Sequence, residues 1–210
     1  MGSMAHSPAY QRFIDSMKID YEKWHDGIGY DLDAIDEMTE DERKDLTTLL
    51  KGRDDWRDVE ALARIQSPAA DDSLVEQLQS SKIDQRLAAM EELHAKGKLP
   101  DIDRHLAKAL PHAVTYGGLT RALLLAEQHP TDRVKQALLW CARHHKENAV
   151  HCAAMLYYLA GISKEPFDWN HRPFFLRFVE TDEKARIEAF EELCRAIKVD
   201  PSDINRPGKK

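Results

Sequence analysis

The chain has 210 residues, 42% hydrophobic and 32% charged, with 30 basic against 37 acidic side chains for a formal net charge of −7. That length supports an apolar core without disulfide or metal staples, and apolar residues recur throughout, which excludes low-complexity disorder. The longest apolar run, Cys152 to Ala160, is about half of the roughly 18–20 residues that a membrane helix needs, so no membrane partner is expected.

Met1-Gly2-Ser3 ahead of Met4 reads as an expression scar, and residues 1–9 are expected to be tag or disordered. From Tyr10 the apolar positions Phe13, Ile14, Met17, Tyr21 and Trp24 recur three and four apart, the period of one buried helix face. Asp26-Gly27-Ile28-Gly29 ends that helix, because glycine admits left-handed backbone angles. Asp31 can then open a short second helix. Thr39 and Glu42 stand at the spacing of a capping box before a helix through Leu50. Trp56, Val59, Ala61, Leu62 and Ile65 mark the next helix, Ser67-Pro68 a break, and Leu74, Val75 and Leu78 another. After a turn at Ser80–Asp84, Leu87, Ala88, Met90 and Leu93 continue the pattern. Further helices are expected at about 101–114, 119–128, 131–145, 147–160 and 182–198, with Thr131-Asp132 and Thr181-Asp182 as starts. Strand alternation is nearly absent.

The phrases Asp55-Trp56-Arg57-Asp58-Val59-Glu60-Ala61-Leu62-Ala63-Arg64-Ile65, Ser67-Pro68-Ala69-Ala70, Leu74-Val75-Glu76-Gln77-Leu78 and Gln85-Arg86-Leu87-Ala88-Ala89 resemble HEAT repeats. The resemblance implies an all-α fold, a right-handed α-solenoid of stacked antiparallel helix pairs with ten to twelve helices, and binding through an extended surface. The expected segments are acidic N-terminal helices over 10–52, HEAT-like repeats over 53–162, an aromatic connection and capping helix over 163–200, and a disordered tail over 201–210. Residues 10–200 are expected to form one structural domain.

The negative charge is local. Residues 1–66 carry 16 acidic and 9 basic side chains, while residues 67–210 are neutral. Ten carboxylates between Asp20 and Glu42 face a single Lys23. Such a run favours a basic partner and repels phosphate backbones, although solvated acidic helix faces also serve solubility alone. Trp24, His25, Asp26, Tyr30 and Asp31 sit with two glycines in a composition typical of binding loops. Either the rings form a contact surface, or Trp24 and Tyr30 pin the N-terminal helices onto the first repeat. Asp33, Asp36 and Glu37 complete the candidate partner-binding set.

Catalytic motifs are lacking: there is no Gly-rich phosphate loop, GxSxG elbow or HExxH. Glu22/His25 and Glu91/His94 have the Glu-x-x-His spacing of di-iron bundles, and His144, Glu147 and His151 share a face only if one helix runs through them, whereas Lys146 and Asn148 mark a turn there. No metal, cofactor or catalytic residue is therefore expected. The aromatic stretch Lys164–Phe178 is read as rings packed beneath a long connection, closing a solenoid end. Cys141, Cys152 and Cys194 form no CxxC pair, lie in apolar helical patterns that read as buried structural thiols, and suit a reducing, cytoplasmic compartment. The expected function is non-enzymatic protein binding. The size, acidity and helical repeats resemble the immunity proteins of bacterial interference systems, which implies binding and inhibition of a basic toxin. A general scaffold is the alternative, with a nucleic-acid-binding repeat protein or metal-dependent helical enzyme behind it.

Overall fold

A computed structural model describes residues 6–204 and 207. Met1 to Met4, where the scar was expected, lie outside the described residues. Among the described residues the protein is all-helical, with thirteen α-helices and no strand. No helix there is long and apolar enough to cross a membrane.

The chain divides into two compact units, residues 1–98 and 99–210. The division falls inside the stretch expected to hold continuous repeats.

The first unit contains α1 (Pro8–Ser16), α2 (Tyr21–His25), α3 (Asp33–Asp36), α4 (Glu40–Leu50), α5 (Trp56–Arg64), α6 (Pro68–Gln77) and α7 (Ile83–Ala95). Its helix starts follow local chemistry. Ser7 accepts from the Tyr10 N–H with Pro8 in the first turn, so α1 opens inside the segment expected to be disordered. Thr39 and Glu42 form the expected capping box, and Ser67-Pro68 both ends α5 and starts α6. Helix α5 sits at the centre, in contact with α3, α4, α6 and α7. Phe13, Ile35, Leu46, Leu62, Leu74 and Leu87 are sealed from solvent in this unit, each worth about 1.5–3 kcal/mol of burial.

The expected first helix is in fact two. α1 stops near Met17, and Asp20 restarts the chain by accepting from the Lys23 N–H at 2.9 Å. The interruption changes the rotational phase of everything after it. Phe13 remains fully buried, but Tyr21 is 76% and Trp24 63% exposed. Neither ring belongs to the core for which the spacing was read. Val75, also expected in the core, is exposed as well.

The second unit contains α8 (Ile102–Ala109), α9 (Leu119–Gln128), α10 (Asp132–His144), α11 (Ala149–Leu159), α12 (Arg172–Leu176) and α13 (Glu183–Ile197). Helices α10 and α11 form its spine, flanked by α8, α9, α12 and α13. Buried Asn148 donates to the carbonyls of Ala113 and Leu110 at 3.0 and 3.4 Å, holding the turn between α10 and α11. That turn separates His144 from Glu147 and His151, as their polar neighbours indicated. Phe175 and Phe178 are buried, with Phe175 edge-on to Tyr157 at 5.3 Å. Trp169, read as one of the packed rings, is instead 69% exposed, with Arg172 over its face at 5.1 Å. A 3₁₀ turn at Pro201–Asp203 begins the segment expected to be a disordered tail.

Candidate functional site

The residues singled out between Trp24 and Glu37 fall into three groups. The first is an exposed aromatic cluster on α2. Tyr21 lies 6.1 Å from Trp24 and 5.7 Å from His25, centroid to centroid, and His25 Nδ1 is 2.8 Å from Asp26 Oδ1. Ile28, 45% exposed, follows at the foot of the helix. Gly27, at φ 65°, permits the reversal that lets the Ile28 N–H reach the Lys23 carbonyl at 2.9 Å.

A five-residue helix is marginal by itself. Arg57 on α5 supplies the support. Its Nε donates to the Ile28 carbonyl at 2.6 Å and its Nη2 to the Lys23 carbonyl at 3.1 Å. Asp55 holds the third nitrogen, Nη1, with both carboxylate oxygens at 3.3 Å. Arg57 is buried, and its guanidinium also lies over the Trp56 ring at 4.5 Å. Arg57 was missed as a site residue because its partners are backbone carbonyls 29 and 34 residues away, which no local pattern announces.

The second group is Tyr30 alone. It turns inward, edge-on to Phe13 at 5.6 Å, and donates its hydroxyl to buried Asp58 at 3.1 Å. Asp58 also accepts from Arg53 Nε at 2.9 Å and the Asp55 N–H at 3.1 Å. Burial, reinforced by Asp58 and Asp55, pushes the Tyr30 phenol up to about 12. Of the two rings weighed as structural pins, Tyr30 has that role and Trp24 does not.

The third group is the carboxylates, which have arginine partners from elsewhere in the chain. Arg12 on α1 donates through Nε to Asp31 at 2.8 Å and through Nη2 to Glu37 at 2.9 Å. Arg64 on α5 pairs with Asp36 through two nitrogens and lies 3.8 Å from Asp33. The hydrogen bonds from Arg12 hold Glu37 below the usual carboxylate range, and those from Arg64 do the same for Asp36. Asp31 also accepts from the Ala34 N–H at 3.2 Å, starting α3 as expected. The run that faced one lysine in sequence is therefore partly neutralised in space. Asp33, 91% exposed, stands most open to solvent among these paired acids.

Among the described residues no group of three or more His, Cys, Asp or Glu side chains is arranged to hold a metal ion. Glu22 and His25 are exposed on α2. The three cysteines are free thiols and buried.

No protein-family model matches the chain, and neither a curated protein nor a solved structure does.

Proposed function

We propose that the protein is a non-enzymatic binding module that docks a protein partner through α2 and the loop after it. The observation that carries this reading is the exposure of Tyr21 and Trp24, at 76% and 63%, on a helix braced by a buried arginine. Tyr and Trp are the side chains that most often dominate interface energies. A backbone already held in place loses little entropy on association. Exposed Glu22, Asp26 and Asp33 favour a partner with an apolar pocket and a basic rim.

Within this reading the partner is a basic toxin domain, which the chain binds and inhibits as an immunity protein does. Buried thiols suit a reducing, cytoplasmic setting. The finer fold reading, a right-handed HEAT-like solenoid, belongs to the same proposal. It is supported by the HEAT-like phrases of residues 55–93 and by the mutual contact of α5, α6 and α7.

The test is affinity capture with the full chain and with a Tyr21→Ala/Trp24→Ala variant, quantified by mass spectrometry. A protein retained by the wild type should fall at least tenfold with the variant, which stays folded by circular dichroism. Assaying the captured protein with and without the chain then separates inhibition from scaffolding. Capture that is indifferent to both rings overturns the proposal.

A further inference from the structure

A cavity of about 330 Å³ lies in the second unit, where α10 ends, α11 begins and α13 starts. Its lining is strongly cationic. Arg143, Lys146 and Arg186 contribute full positive charges, His144 and His145 contribute imidazoles, and Glu183 is the acid among them. Buried Phe178 forms part of the wall.

Basic side chains in the last turn of a helix offset its dipole, which accounts for Arg143 and His144 at the end of α10. It does not account for Lys146 in the following turn, or for Arg186 on α13. These two arrive from separate elements and converge on one space. Ala149, the first residue of α11, also lines it, and no side chain caps that helix. Its first-turn N–H groups add positive potential to the same cavity.

Arg186 is held in position, and the two imidazoles are backed by a ring. Arg186 Nη1 donates to the carbonyls of Glu180 at 2.7 Å and Thr181 at 3.1 Å, which fixes the plane of the guanidinium. Trp140 lies against both imidazoles, 5.1 Å from His144 and 5.0 Å from His145. Burial, then the charges of Arg143 and His145, lower the His144 pKa from its ordinary value.

We infer that this cavity binds a small phosphate-bearing anion, with Arg143, Lys146 and Arg186 contacting the phosphate oxygens. The volume is at the lower end for small-ligand sites, about 300–1,000 Å³. Converging guanidinium and ammonium donors match the chemistry of a phosphate dianion. The cavity belongs to the second unit and α2 to the first, and its test does not depend on the α2 reading.

The test is isothermal titration of the full chain with inorganic phosphate and with glycerol 3-phosphate, against sodium chloride at matched ionic strength. Saturable binding is expected for a phosphate and none for chloride. Preference for glycerol 3-phosphate assigns an organic phosphate monoester, and preference for inorganic phosphate assigns the free ion. Lys146→Gln should weaken binding about fivefold and Arg186→Gln at least tenfold. Because Arg186 also holds backbone carbonyls, exposed Lys146 gives the cleaner variant. Glu183→Gln should tighten binding by about threefold, an effect that a purely structural role for these residues does not produce. Absence of saturable phosphate binding, or unchanged affinity in both Lys146→Gln and Glu183→Gln, overturns the inference.

Discussion

Tyr30 reaches across 28 residues to place its hydroxyl 3.1 Å from Asp58, where Arg53 and the Asp55 N–H already donate to the same carboxylate. The contact ties the loop after α2 to the first turn of α5. Tyr30→Phe removes one of three donors to a buried acceptor and should cost about 1–3 kcal/mol in urea denaturation. The pH sign follows from the raised phenol. Its folded pKa of about 12 lies above the ordinary 10.0, so the stabilisation is intact below pH 10 and is lost as pH rises toward 12. Tyr30→Phe should flatten that alkaline decline, and an unchanged profile would count against the contact.

Glu42 makes the opposite case. Its carboxylate accepts from the Ser7 N–H at 2.5 Å and the Thr39 N–H at 3.0 Å, and these bonds lower its pKa from 4.5 to about 2. A depressed carboxylate stabilises above its unfolded pKa and loses that contribution as pH falls through its folded one. Stability should therefore decline between about pH 4.5 and 2 more steeply in the wild type than in Glu42→Gln. Thermal melts across that window check the difference in slope.

Arg57 and Trp24 should separate support from surface. Arg57→Met removes a buried guanidinium and leaves the Ile28 and Lys23 carbonyls without its donors, at a cost of about 2–4 kcal/mol. It should also accelerate hydrogen exchange at the Ile28 amide. Trp24→Ala removes a mostly exposed ring and should change stability by no more than about 0.5 kcal/mol. Equal losses from the two substitutions would contradict the brace.

Charge reversal among the acids should depend on arginine pairing and not on sequence position. Glu37→Lys and Asp36→Lys each set a cation against Arg12 or Arg64 and should lower the melting temperature. Asp33→Lys, at a 91% exposed side chain 3.8 Å from Arg64, should lower it less. Differential scanning fluorimetry at low salt reads the ranking, which should compress as salt is added.

The thiols should be inert in the folded protein. Cys152 is raised by its hydrogen-bonded neighbour Cys141 and by burial, and burial lifts Cys194 to about 11. Ellman's reagent near pH 8 should react with none of the three until denaturant is added. Rapid labelling of the native chain would show that the helices carrying them open readily.

Much of the secondary structure was legible because its signals act within one turn. Thr39 with Glu42, Ser67 with Pro68, and Thr131 each satisfy an N–H group three residues away, and each begins a helix where its sequence says. The site was legible only in part. The spacing from Phe13 to Trp24 is helical, but phase carries across it only if the helix is unbroken, and the restart at Asp20 changes which residues face solvent.

The sequence by itself determined a helical chain, its capping residues, its buried cysteines and the position of its acidic run, all consequences of local propensity and apolar periodicity. Tertiary structure decided which rings meet water, which carboxylates have counterions and which cations converge. Arg12 finds Asp31 and Glu37, Arg64 finds Asp36, and Arg186 shares a cavity with Arg143. These relations span 19 to 43 residues. Coulomb attraction and hydrogen bonding act over a few ångströms of space, so partners this distant in sequence are set by helix packing.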